Sequence, residues 1–118
     1  MGSYYHRRLA HVYKFLVPSG QRVLELGCGK GGLLAELEPG RGVGIDFSET
    51  AVESARDKHP EMQFHCTDVH QLDLDETFDF IILSDLVDDL WDVQQAFRVA
   101  GYHSEPHTRI IINTFSRL

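Results

Sequence analysis

An apolar run that ends abruptly in glycines, with leucines at helical spacing behind it, constrains the fold of this chain more than any other feature. The run is RVLEL from Arg22, the glycines follow in GCGKGG, and Leu33, Leu34 and Leu37 come next. A strand that enters a tight loop and then a helix is the economical interpretation, because glycine lets the backbone turn sharply. The segment therefore predicts one strand, loop and helix unit.

Further units of the same kind follow along the chain. GVGID is a predicted strand, and a helix capped by Ser48 or Thr50 runs from it towards Pro60. MQFHCTD and FDFIILSD are two more predicted strands, joined by the polar link VHQLDLDET. Strands this rich in Val, Ile and Leu are typical of a parallel sheet that helices cover on both faces.

Helical periodicity also marks both ends of the chain. Four residues of the opening segment share one face before Pro18, namely Tyr5, Leu9, Val12 and Leu16. After FDFIILSD a helix is predicted to end at Gly101 and to turn four residues inward, namely Leu90, Val93, Phe97 and Ala100. The loop HSEPHT then leads to a last strand, RIIINTF.

The alternation predicts an α/β fold with a doubly wound, mostly parallel, Rossmann-like sheet. The expected strand order is 3-2-1-4-5, with right-handed crossovers and helices on both faces. The length of 118 residues corresponds to a single domain. We expect an N-terminal helix within residues 1–20 and the Rossmann-like core in residues 21–118.

Charge and cysteine usage narrow the function classes. The chain has 11 Lys and Arg against 18 Asp and Glu, a net charge of −7, and no basic run longer than Arg7-Arg8. This balance argues against nucleic acid and anionic membranes as partners. No apolar stretch has the length of a signal peptide core or a membrane span. Because Cys28 and Cys66 lack CxxC spacing, we expect a cytoplasmic protein.

Acidic residues recur where three successive predicted strands end. In doubly wound sheets, ligands bind outside the carboxyl ends of the strands. Glu25 precedes the glycines, Asp46 can accept hydrogen bonds from ribose hydroxyls, and Asp68 with the apolar Val69 can hold an adenine ring. The glycines alone are ambiguous, because they satisfy both GxGxG and the dinucleotide pattern GxGxxG.

Four segments of the chain resemble the successive motifs of class I S-adenosylmethionine (SAM)-dependent methyltransferases. They are VLELGCGKGGLL, GVGIDFSETAVESAR, FHCTDVHQLDL and FDFIILSDLVDDL. The resemblance implies that Glu25 and the glycine loop surround the methionine part of SAM and that the backbone near Ser84 and Asp85 meets its amino group. It also implies a contact from the opening helix, at Tyr5 or Arg7. The full cofactor-binding set predicted is Glu25, Gly27, Cys28, Gly29, Gly31, Asp46, Phe47, Asp68, Val69, Ser84, Asp85 and Tyr5.

The acids favour SAM over a dinucleotide on physical grounds as well, because they attract its cationic sulfonium and ammonium groups and repel a pyrophosphate. We therefore expect an enzyme that transfers the methyl group of SAM to an unidentified acceptor by direct displacement. Two alternatives stay open. One is the cofactor domain of an NAD-dependent oxidoreductase, and the other is a SAM-binding module without catalytic activity.

Other polar clusters have ordinary interpretations. Asp85, Asp88, Asp89 and Asp92 fit the start of a helix, where carboxylates cap the backbone and complement its dipole. His103 and His107 have HxxxH spacing but fall in a predicted surface loop, so we predict no metal site. Cys28 is interpreted as a small loop residue, because the pattern places no partner beside it that would activate a thiol.

The resemblance departs from the family at the end of the chain. Family members continue past the fifth strand into an antiparallel pair, whereas this sequence ends at Ser116, Arg117 and Leu118. We therefore expect a fragment that lacks those strands. An apolar last strand left at an edge would pair with a second copy or another segment through Ile110, Ile111 and Ile112.

Overall fold

Five parallel strands form the single sheet of the computed structural model, which describes residues 11–84 and 90–113. Their order, β3-β2-β1-β4-β5, confirms the predicted α/β, doubly wound topology, and every neighbouring pair is parallel. The order reverses beside β1, so the cleft expected at such a switch point lies at its carboxyl end. The strands are β1 Arg22–Leu26, β2 Arg41–Asp46, β3 Gln63–Cys66, β4 Phe78–Ser84 and β5 Ser104–Asn113.

Within the described residues, three helices and one 3-10 turn connect the strands, and a further helix precedes β1. Helix α1 is described over residues 11–16, and the others are α2 Gly32–Glu36, α3 Glu49–Lys58 and α4 Leu90–Tyr102, with the 3-10 turn at Val69–Gln71. Of the two predicted caps of α3, Ser48 is the one used, because its side chain accepts a hydrogen bond from the amide of Ala51. None of the described helices is long and apolar enough to cross a bilayer.

Successive strand residues bury on opposite faces of the sheet, as the two-residue period of a strand requires. On β1, Val23 packs with the cluster that holds α1, α2 and α3, whereas Leu24 packs with the cluster under α4. Both side chains are fully buried. Helices therefore cover both faces of the sheet, as predicted, and leave its carboxyl edge as the place where loops meet.

The inward face predicted for the first helix is wrong within its described part. Val12 and Leu16 are about half exposed, whereas Tyr13 and Val17 are buried in the core. The two faces of this segment carry similar apolar character, so periodicity alone could not choose between them. The positions of Tyr5, Arg7 and Leu9 lie outside the described residues.

Helix α4 also differs from its prediction. Phe97, predicted to face inward, is 39% exposed, whereas Ala100 is buried as predicted, and Ala96 and Val99 lie against the sheet beside it. Gly101 is inside the helix rather than at its cap, because α4 continues to Tyr102. Small side chains allow the helix to approach the sheet closely, a packing advantage that counting large apolar residues misses.

The predicted loop HSEPHT is wrong in its boundary, because β5 already begins at Ser104. Ser104 pairs with Phe78 and Arg109 pairs with Phe80, so residues 105–108 bulge out opposite a single β4 residue. The Thr108 hydroxyl donates to the Phe78 carbonyl oxygen at 2.6 Å and accepts from the Glu105 amide at 2.8 Å. These side-chain hydrogen bonds replace the ladder that the bulge interrupts.

The two histidines of the HxxxH spacing have different environments. His103 is 1% exposed, so the surface-loop interpretation is wrong for it, whereas His107 is exposed and contacts Asp79. The Leu74 amide donates to His103 Nε2 at 3.1 Å, so Nδ1 carries the proton and donates to the Val99 carbonyl at 2.7 Å. His103 thus links the end of α4 to the segment before β4.

The glycine that precedes α2 gives a test of the backbone geometry. Gly31 has φ +83°, and a Cβ there would lie 2.8 Å from Phe64 Cζ, whereas a Cβ on Gly32 would meet nothing within 4 Å. We expect Gly31→Ala to lower the free energy of unfolding by about 2 kcal/mol or more, from the left-handed backbone and the overlap together. Chemical denaturation measures it.

Gly32→Ala is the matched control, and we expect it to raise stability by about 0.5–1 kcal/mol because alanine favours the helix that begins there. Equal effects of the two substitutions would contradict the described loop geometry.

Candidate functional site

The glycine loop turns through left-handed backbone at alternate positions. Gly27, Gly29 and Gly31 have φ values of 85°, 56° and 83°, while Gly32 is the first residue of α2. These angles strongly favour glycine over residues with a Cβ. Of the two spacings that the sequence left open, the conformation therefore uses GxGxG.

Backbone hydrogen bonds fix this loop to the end of β2. The amides of Gly27 and Cys28 both donate to the carbonyl oxygen of Ile45, at 2.7 and 2.9 Å. The Gly29 amide donates to Asp46 Oδ2 at 2.8 Å, and the Ser48 amide donates to Asp46 Oδ1 at 2.9 Å. The Asp46 carboxylate thus joins the glycine loop to the start of α3.

Cys28 follows β1 and lies against Gly44 of β2. A Cβ on Gly44 would lie 2.8 Å from Cys28 Sγ, so the thiol occupies the space that Gly44 leaves open. The thiol is largely buried, and burial, with smaller contributions from the carboxylates of Glu25 and Asp46, raises its pKa well above its ordinary value. A thiol held in its neutral form packs well and is a poor nucleophile.

Glu25, Ser84 and Asn113 form a buried polar chain across β1, β4 and β5. The Ser84 hydroxyl donates to Glu25 Oε2 at 2.7 Å, and Asn113 Nδ2 donates to Ser84 Oγ at 3.4 Å. Glu25 is 3% exposed, and its Oε1 has no hydrogen-bond partner among the described residues. Burial raises the pKa of Glu25 to about 8, the Ser84 hydrogen bond opposes this rise, and the charge of Asp46 adds to it.

At the end of β3, Asp68 caps the 3-10 turn, because its Oδ1 accepts from the His70 amide at 2.9 Å. The turn presents Val69, which packs against the apolar cluster under α4. An acid and an apolar side chain thus lie side by side, as the sequence predicted for an adenine site.

These strand ends open into one cleft of about 430 Å³. Among the residues predicted as site residues, those that line it are Gly27, Asp46, Phe47, Asp68, Val69 and Ser84. Glu25, Cys28, Gly29 and Gly31 do not line the cleft and instead support its floor and its loop. Tyr5 and Asp85 lie outside the described residues, and each contact predicted with a ligand stays a prediction.

Four lining residues were missed by the sequence analysis, namely Leu26, His70, Asp92 and Ala96. Asp92 and Ala96 are four residues apart on α4, a spacing that places them on one helix face. This four-residue spacing, in a helix that follows an apolar strand, is the sequence signal that could have identified Asp92 and Ala96. The sequence analysis interpreted Asp92 only as a helix cap. His70, two residues after Asp68, stood in a polar link that showed no periodicity.

Acidic residues at the two ends of the sheet are compensated differently. At the amino end, Arg22 contacts Asp79 and Arg41 contacts Glu76, and these guanidinium groups lower the pKa of both carboxyls. Around the cleft, no Lys or Arg of the described ranges lies within ion-pair distance of Glu25 or Asp46. A carboxylate such as Asp46 at the cleft would attract a cationic ligand.

Comparison with known proteins identifies the family. Residues 23–106 match the family described as "Methyltransferase domain". The chain belongs to this family, within the class I SAM-dependent methyltransferases.

It is 33% identical over 110 residues to malonyl-[acyl-carrier protein] O-methyltransferase from Bacillus anthracis, covering 88% of this chain and 41% of that protein. It is 29% identical over 119 residues to ubiquinone biosynthesis O-methyltransferase from Coxiella burnetii, covering 93% and 50%. The chain thus spans half or less of these curated methyltransferases.

A solved structure gives the same fold. The N-methyltransferase NodS from Bradyrhizobium japonicum, in complex with S-adenosylhomocysteine (SAH), superposes with a TM-score of 0.78 at 19% identity, covering 93% of this chain and 60% of that one. At this identity the similarity bears on the fold alone. It is consistent with the confirmed strand order of the Rossmann-like methyltransferase domain.

The buried Glu25 predicts a pH dependence of stability. Because the folded pKa of about 8 lies above the ordinary value of 4.5, the folded state holds the Glu25 proton more tightly than the unfolded state does. The stabilisation is complete below pH 4.5 and is lost as pH rises through 8. We expect the free energy of unfolding to fall by on the order of 3 kcal/mol from pH 5 to pH 8.5 through this group.

Glu25→Gln, which cannot ionise, should flatten this dependence, and denaturant titrations at both pH values measure it. Glu53→Gln, on an exposed position of α3, is the control and should keep the wild-type slope. An unchanged slope in Glu25→Gln would show that Glu25 is not the group responsible.

Proposed function

We propose that the cleft binds SAM and that the protein transfers the SAM methyl group to an acceptor. The observation that carries the proposal is that Asp46 and Asp68, from neighbouring strand ends, line one cleft with Gly27. A glycine loop, two acids and an adjacent apolar residue are the features that an adenosyl sulfonium requires. In a member of the methyltransferase domain family, this arrangement favours SAM above other nucleosides.

Each part of the cleft has a proposed role. Asp46 would accept hydrogen bonds from the ribose hydroxyls, and Asp68 would accept from the adenine amino group while Val69 and Phe47 cover the ring. The region near Gly27 and Ser84 would hold the methionine part. The orphaned Oε1 of Glu25, buried directly behind Ser84, is consistent with a donor on that side.

When bound, SAM supplies a methyl group that is already strongly electrophilic. The residues of this chain therefore need to bind SAM, orient it towards the acceptor and exclude water, and they do not need to activate a leaving group. The glycine loop, held by Asp46, is built for orientation, because its amides are fixed by β2 before any ligand arrives. This preorganisation is the contribution that we assign to the described residues.

An NAD-dependent oxidoreductase is disfavoured by the same charges. A pyrophosphate placed against the glycine loop would lie close to the carboxylate of Asp46, which accepts a hydrogen bond from the Gly29 amide and forms no ion pair with any described Lys or Arg. A SAM-binding module without turnover shares the cleft with the enzyme, so only an activity assay on a full-length protein separates the two.

Two further proposals concern the setting of the protein. Cys28 and Cys66 are both free, as is typical of a reducing compartment, which favours a cytoplasmic location. We also propose that β5, which lies at one edge of the sheet, pairs with another strand, either of a longer chain or of a second copy. Ile110 and Ile112 are 36% and 43% exposed on this strand, which supports pairing.

Ligand binding tests the proposal directly. We expect SAM and SAH to bind the 118-residue chain in calorimetry and to raise its melting temperature. At one hundred times the dissociation constant the ligand should add about 2.7 kcal/mol of stability. NAD at the same concentration should have no effect. Stabilisation by NAD without stabilisation by SAM would overturn the proposed cofactor.

Asp46→Asn should weaken SAM binding at least about tenfold, because it removes the negative charge and forces an amide against the donors of Gly29 and Ser48. Asp57→Asn, an exposed change on α3, is the matched control. Wild-type affinity in Asp46→Asn would exclude Asp46 from the site.

A further inference from the structure

His70 lies in the 3-10 turn where this turn meets α4, at a position that no sequence pattern marks as functional. Its ring Nε2 lies 2.6 Å from Asp92 Oδ1, and its Nδ1 lies 3.6 Å from Asp68 Oδ1. The indole of Trp91 meets the imidazole edge-on, with ring centroids 5.0 Å apart. Both ring nitrogens therefore face carboxylates from two different elements.

The backbone of the same residue makes two more attachments. The His70 amide donates to Asp68 Oδ1 at 2.9 Å, and the His70 carbonyl accepts from Arg98 Nη2 at 3.1 Å. Arg98 and Asp92 are six residues apart on α4, so the turn is held at two points along the helix. Through its ring and its carbonyl, His70 thus joins the 3-10 turn to α4 at two points.

We propose that His70 is a positioning residue for the adenosine end of the cleft, holding Asp68 and Val69 in their binding orientation by clamping the 3-10 turn onto α4. The inference rests on the proposed function, because it assigns a role within the same SAM site. His70, Asp68, Val69 and Asp92 all line the cleft, so a movement of the clamp would change the shape of the ligand's surroundings.

A general base is a competing role for a histidine beside an aspartate, but the geometry disfavours it. A base needs one ring nitrogen directed at the acceptor. Here Nε2 is engaged by Asp92, and Nδ1 faces Asp68, the candidate adenine contact. His70 therefore acts on binding through its neighbours rather than on the transferred methyl group.

The first experiment measures the affinity of the 118-residue chain for SAM, SAH and 5′-methylthioadenosine, a probe that has the adenosine part but no amino acid. We expect His70→Ala to weaken all three by a similar factor of about ten, the effect of losing one charge-assisted hydrogen bond. His70→Gln, whose side-chain amide can still donate to Asp92, should restore most of the affinity. A His70→Ala variant with wild-type affinities would overturn the proposal.

His107→Ala is the matched control. His107 Nε2 lies 2.8 Å from Asp79 Oδ1, so this variant also removes a histidine and aspartate contact, but among residues that do not line the cleft. We expect it to change stability without changing ligand affinity. Equal losses of affinity in both variants would mean that His70 contributes only to general stability, and the proposal would fail.

A double-mutant cycle tests whether His70 acts through Asp68. If His70 orients this carboxylate, the affinity loss in the Asp68→Ala, His70→Ala double variant should be smaller than the two single losses combined. Independent losses would overturn the positioning role. Failure of the wild-type chain to bind SAM at all is a separate result, which would refute the proposed cofactor rather than the role of His70.

Discussion

The carboxylate of Asp46 is the interaction on which the geometry of the cleft depends. One oxygen accepts from the glycine loop after β1, and the other accepts from the turn that begins α3. Two crossovers of the sheet are thereby joined at a single side chain. A carboxylate anchored by backbone amides at the cleft would attract a cation.

The acidic side chains at the two ends of the sheet have different partners. Its amino end is closed by ion pairs, since Arg22 engages Asp79 and Arg41 engages Glu76. Its carboxyl end instead has Glu25 bonded to a hydroxyl and Asp46 bonded to amides. Burial raises the pKa of Glu25 and so favours its neutral form in the free protein. A positive charge placed nearby would lower this pKa. The two ends thus differ in electrostatic function, not only in chain direction.

The sequence was sufficient for features that local chemistry decides. The α/β class follows from the alternation of apolar runs and helices, and the cleft follows from acids and glycines at strand ends. Strand limits and helix faces depended on tertiary contacts instead. Val12 and Tyr13 are both apolar, and only packing against the sheet determines that Tyr13 is buried. The bulge after Ser104 is stabilised by Thr108 across β4, a contact that no local pattern encodes.

The same distinction separates the two halves of the cleft. Its loop side is set by backbone hydrogen bonds and by glycines whose φ values few other residues adopt, so its residues were predictable. Its other side is set by side chains that meet from distant parts of the chain, as His70 and Asp92 do. Because such pairs form only after the strands and helices pack, sequence motifs identify Asp68 but not the residues that orient it. The shape of this side of the cleft therefore depends on α4, an element that carries no recognisable motif of its own.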